Sequence, residues 1–127
     1  MEVRLVQGRV VWAHVPDPQR RNPKTRRCVV ISPGPFEPDA PVELVPVTGT
    51  IDPTYPEEYV EMEYGPGALT KFTKRCAAHC VSVLSIPASV LTERGGIVKP
   101  KHVKQILERT VSLGDRVVRQ SYPFDSP

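Results

Sequence analysis

The sequence predicts a mainly β domain with helices at its C-terminal end, an α+β chain in which a small, strongly bent sheet or partly open barrel carries a C-terminal helix. Three observations point there. The chain has 127 residues, 39% of them hydrophobic, which suits one compact domain and leaves little room for a second. Fifteen prolines against eight glycines cut it into short lengths, and the apolar runs between them are rich in valine, as strands are. A helical spacing of apolar residues is confined to the last third of the chain.

The elements follow in order. "GRVVWAHV", residues 8–15, is a strand with Val10, Trp12 and His14 on one face and Val11, Ala13 and Val15 on the other. "PDP" ends it, a basic loop follows, and a second strand covers about Cys28 to Ser32. "SPGPFEPDAP" cannot belong to a sheet interior. A third strand, 42–50, holds Pro46, which suggests a bulge or an exposed edge, and further strands are expected at 59–64 and 80–86. "PASVLTERGG" reads as a short helix started by Pro87 and stopped by Gly95 and Gly96. A longer helix begins at Pro100 with Val103, Ile106, Leu107, Thr110 and Val111 as one apolar stripe, and Gly114 ends it. The domain is expected over 1–115, with 116–127 a loose or partner-docking tail.

No apolar stretch reaches the roughly 20 residues of a membrane helix, and the start lacks the apolar core of a signal peptide. A cytoplasmic protein is expected. The odd cysteine count, Cys28, Cys76 and Cys80, argues for reduced thiols over a disulfide framework. A net charge of +3 is modest, but "RRNPKTRR", residues 20–27, holds five of the seventeen cations, and "PEEYVEMEY", residues 56–64, holds four of the fourteen acids. One part of the surface should attract anions and another repel them.

Arg26 is the first candidate for chemistry, because a guanidinium keeps its charge and offers paired donors that match two phosphate oxygens. Thr48, at the end of "LVPVT", has a hydroxyl that could donate to the same group. The bland alternative makes Arg26 and Arg27 solvated loop residues and Thr48 a strand cap. His14, His79 and His102 are the side chains that ordinarily titrate near neutrality. His102 reads as a surface residue, and His14 as packed beside Trp12 yet within reach of the basic loop. Cys76, His79 and Cys80 form a C-x-x-H-C cluster of soft-metal ligand types, short of the four ligands of a structural zinc, so no metal or other cofactor is expected. Walker, G-x-S-x-G and H-E-x-x-H patterns are absent from the sequence.

"GRVVWAHVPDP", "TRRCVVIS", "VELVPVT" and "LSIPASVLTERGGIVKPKHVKQIL", in that order and spacing, resemble the successive blocks of the MazF/PemK family, the toxins of type II toxin-antitoxin modules. The resemblance covers about residues 7–113. It implies an SH3-like, strongly bent antiparallel barrel with a C-terminal helix, a homodimer, cleavage of single-stranded RNA without a metal, and neutralisation by a cognate antitoxin. It also implies that Arg26 faces a scissile phosphate and that Thr48 orients it.

On that reading the 2′-hydroxyl attacks the adjacent phosphorus, leaving a 2′,3′-cyclic phosphate and a 5′-hydroxyl. His14 is the candidate base. Arg20, Arg21, Lys24 and Arg27 would draw in the strand, and Trp12 would offer a platform to an unstacked base. The sequence departs from the family where an arginine and an aspartate of the fifth strand become Ser82 and Ser85. The alternative is a binding module that keeps the fold and grips RNA or a protein without cutting.

Overall fold

A computed structural model describes residues 3–124. Residues 1–2 and 125–127, at the outer ends of the expected domain and tail, lie outside the described residues. Eight strands form one strongly bent sheet: β1 Arg9–Val15, β2 Lys24–Val30, β3 Pro41–Thr48, β4 Tyr59–Glu61, β5 Ala77–His79, β6 Ser82–Pro87, β7 Arg94–Ile97 and β8 Val118–Ser121, with the helix α1 Pro100–Leu113 before β8. The hydrogen-bonded path runs β4-β5-β3-β2-β1-β7, with β6 also on β3 and β8 on β6. The sheet does not close into a barrel. All its pairs are antiparallel except β6 with β8.

Strands buried on both faces explain why β2 and β3 read as continuous apolar runs. Val10, Val29, Val45 and Val83 point into one core, which α1 closes with Val103, Ile106 and Leu113. Val11, Cys28, Val30, Leu44 and Leu84 point into the other, closed by Ala88 and Leu91.

Pro46 carries the main architectural consequence. β2 pairs with β3 from Val30 opposite Leu44 to Cys28 opposite Pro46, where proline has no N–H to offer the ladder. Beyond it, Val47 and Thr48 pair with Ala78 and Ala77 of β5. β5 and β6 run along β3 as two lengths of one bulged strand, for the register passes from Val47 opposite Ala78 to Leu44 opposite Leu84. The first half of β2 and the last two residues of β3 therefore stand apart.

The C-terminal third departs from expectation. Pro87 starts no α-helix, only a 3₁₀ turn at Ala88–Val90, and Gly95 and Gly96 lie in β7. The reason is contact: a Cβ on Gly96 would stand 2.2 Å from the carbonyl oxygen of Thr70, so glycine lets two backbones meet rather than stopping a helix. In α1 the buried stripe is Val103, Ile106, Thr110 and Leu113, while Val111 is 80% exposed. The segment expected as a loose tail contains β8, which pairs with β6 from Ser82 opposite Val118 to Ser85 opposite Ser121.

Candidate functional site

The gap beside Pro46 is a groove of about 360 Å³, with Lys24, Thr25, Arg26 and Arg27 along one wall and Pro46 to Thr50 along the other. Trp12, Pro16, Asp17, Pro18 and His79 complete its lining. β2 is responsible for the cations. Arg27 sits opposite Trp12 and Arg26 opposite Ala13, so the two arginines leave the strand on opposite faces, and both reach the groove because no neighbouring strand fills it.

Arg26 is half-buried, and its Nε donates to the carbonyl of Val15 at 3.4 Å while Nη2 donates to that of Asn22 at 3.0 Å. These contacts fix the guanidinium and leave its charge uncompensated. Among the described residues, none of Lys24, Arg26 and Arg27 joins a salt bridge. Asp17 is the acid of the lining, and its carboxylate is occupied within its own loop by the N–H of Arg21 and Nδ2 of Asn22, each at 2.9 Å. Burial, the largest single influence, pushes this carboxyl up, but the hydrogen bonds from Arg21, Asn22 and the Gln19 main chain, with the Arg21 charge, together hold it below its ordinary value. Arg20 and Asn22 adopt left-handed backbone in the same loop, with φ of 64° and 51°. From outside, Nε2 of Gln120 on β8 donates to the carbonyl of Asp17 at 3.0 Å.

Thr48 faces the groove from the far wall. Its Oγ1 accepts the N–H of Thr50 at 3.1 Å and donates to the Thr50 carbonyl at 3.3 Å. That second bond is long for a hydroxyl, and a charged oxygen would compete well for the proton. Arg27 lies over two rings, 4.7 Å from the Phe72 centroid and 6.0 Å from that of Trp12. Trp12 itself is 43% exposed and forms part of the groove wall.

His79 is the residue that sequence reasoning placed elsewhere. Cys76, Ala78 and Cys80 point into the core, and strand alternation turns His79 the other way, so the C-x-x-H-C ligand types divide between core and groove. Nε2 of His79 lies 3.1 Å from Oε1 of Glu58. The ring stacks on Tyr59 at 4.6 Å between centroids with planes 5° apart. Behind it, Arg116 binds both Glu57 and Glu58. Two more acids of the 56–64 stretch are also paired, Glu61 with Arg75 at 2.6 Å and Glu63 with Lys99 at 3.0 Å. The expected repulsive patch is thus a set of ion pairs.

Of the residues named from sequence, Arg26, Thr48, Lys24, Arg27 and Trp12 converge on the groove. His14, Arg20 and Arg21 are exposed and stand off its lining. Ser82 is fully buried at the start of β6, where it pairs with β8. His102 lies on α1 with Nδ1 buried and unpartnered, and burial followed by nearby lysines holds its pKa below the ordinary value.

Fold and groove together define a small bent-sheet domain with an open, cation-walled cleft where β2 and β3 part. The chain belongs to the family described as PemK-like, MazF-like toxins of type II toxin-antitoxin systems, which it matches over residues 6–112. Its fold is similar to that of the Mycobacterium tuberculosis toxin MazF-mt6, with a TM-score of 0.64 at 17% identity over 84% of this chain and 96% of that one. It is similar also to an endoribonuclease from mycobacterial species, with a TM-score of 0.58 at 15% identity over 88% and 92% of the two chains. No curated protein matches the sequence.

Proposed function

We propose that this family member is a toxin that acts as a metal-independent endoribonuclease on single-stranded RNA. The observation that carries the reading is the Arg26 guanidinium, held by main-chain carbonyls at the groove wall with its charge free, across from the Thr48 hydroxyl. The ribose 2′-hydroxyl attacks the neighbouring phosphorus, and Arg26 stabilises the charge that grows on the phosphoryl oxygens, where a fixed donor helps most. Thr48 turns its proton from Thr50 to the same phosphate. The products are a 2′,3′-cyclic phosphate and a 5′-hydroxyl. Lys24 and Arg27 hold flanking phosphates, Arg20 and Arg21 extend the positive field beyond the groove, and Trp12 stacks an unpaired base. His14, outside the lining, is a poor base for this geometry.

A cognate antitoxin would act most simply by covering the groove with an acidic segment, and a cytoplasmic homodimer is the assembly that family membership suggests. The described residues include no helix long and apolar enough to cross a membrane. The test is mixed-sequence RNA in excess chelator, with product ends identified and a 2′-deoxy substrate alongside. Cleavage to cyclic phosphate that disappears in the Arg26→Ala variant and on the deoxy substrate supports the reading. A folded protein that retards RNA on a gel without cutting it is a binding module instead.

A further inference from the structure

We propose that His79 is the proton acceptor of the cleavage step and that Glu58 is its positioning residue, an inference that rests on the endoribonuclease reading above. His79 shares the groove with Arg26 and Thr48. A carboxylate can only accept from a neutral imidazole, so the 3.1 Å contact with Glu58 Oε1 places the ring proton on Nε2 and the lone pair on Nδ1. The tautomer is thereby selected. Stacking on Tyr59 fixes the plane of the ring, and the two-fold grip of Arg116 on Glu57 and Glu58 holds the carboxylate in place. A base and a fixed cation for the developing charge then share one cleft, with the carboxylate that orients the base behind it.

The step balances within the RNA and solvent. The proton of the 2′-hydroxyl passes to Nδ1, and the freed oxygen pair forms the new bond to phosphorus. The bond from phosphorus to the 5′-oxygen breaks with its pair on that oxygen, which takes a proton from water. Nδ1 then returns its proton to solvent. Glu58 favours the imidazolium formed midway, while Arg26, Arg27 and Lys24 on the opposite wall disfavour it, and Asp17 lies in the same lining with its carboxylate engaged by its loop. Arg116 reaches the ring only through Glu58.

The experiment measures single-turnover cleavage of mixed-sequence RNA in chelator from about pH 5 to 8, the range in which imidazole ordinarily titrates. It compares wild type, Arg26→Ala, His79→Gln, His79→Gly with and without added imidazole, and Glu58→Gln, with RNA affinity followed in parallel. Wild-type rate should rise with pH to a plateau. His79→Gln should lose about 10²-fold or more, lose that rise, and bind RNA as before. Imidazole should restore part of the activity to His79→Gly, which a merely structural role would not allow. Glu58→Gln removes the charge that favours the imidazolium, so its rise should move to lower pH.

If wild type cleaves and Arg26→Ala does not, while His79→Gln keeps the wild-type rate and profile, His79 is overturned and the endoribonuclease reading stands. Absence of imidazole rescue together with an unmoved profile in Glu58→Gln also overturns it. If folded wild type cuts no RNA, both readings fall together.

Discussion

Arg26 donates to two main-chain carbonyls, and such contacts orient a guanidinium without neutralising it. Arg26→Ala should therefore leave the thermal midpoint nearly unchanged and lower the cleavage rate by about 10² to 10³, the effect of removing one preorganised donor. Thr48→Val keeps the shape and loses the hydroxyl, for an expected fall of roughly tenfold, about 1.5 kcal/mol; rate measurements on saturating RNA check both. The thiols make a separate prediction. Burial pushes Cys28 and Cys80 up to about 12 from 9.0, against the opposing pull of Arg26 and Arg109 respectively. Below pH 9.0 both states hold these protons, and above it the unfolded chain releases them first, so stability is intact at neutral pH and is lost as pH climbs from 9.0 towards about 12. Melting curves along that range should show the decline, and alkylation at neutral pH should label these cysteines only after unfolding.

At the scale of elements, β7 is held where it is by a glycine. Gly96→Ala would drive a Cβ to 2.2 Å from the Thr70 carbonyl oxygen, with backbone on both sides and no side chain free to give way. The expected cost is about 3 kcal/mol, seen as a midpoint lower by roughly 10 °C. That contact was illegible in the sequence because Gly95-Gly96 after a proline-started segment also fits a helix stop, and only tertiary approach separates the two. Strands β1 and β3 were readable from valine-rich runs between prolines, but only the apolar half of β2 was, since Lys24 to Arg27 read as the end of a basic loop and lie instead in the strand. Pro46 announced an irregularity, though its result, the parting of β2 from β3 that opens the groove, needed the position of β2. Periodicity put the helix in place but shifted its buried stripe, since Leu107 and Val111 fit a helical face as well as Leu113 does. His79 could have been found from the alternation of Cys76, Ala78 and Cys80. The stretch "CAAHC" was too short to distinguish a strand from a ligand cluster.

The whole molecule carries a net charge of only +3, so its affinity for RNA should come from the cations gathered at one edge and not from its overall field. RNA binding should weaken as salt rises, with a slope near −0.7 for each phosphate held. Arg20→Ala with Arg21→Ala should reduce that slope by about 1 and weaken all sequences alike, while the rate at saturating RNA stays at the wild-type value. A lower saturated rate would bring those two arginines into the site proper. The edge they occupy is braced from far along the chain: the Gln120 side chain that supports the carbonyl of Asp17 belongs to a residue 103 positions later. Protein synthesis runs in one direction, so the loop is made 103 residues before the side chain that supports it. A chain in which β8 has not yet paired with β6 therefore presents Arg20 and Arg21 on a loop that lacks this brace. The edge of the groove is thus braced only once β8 is in place.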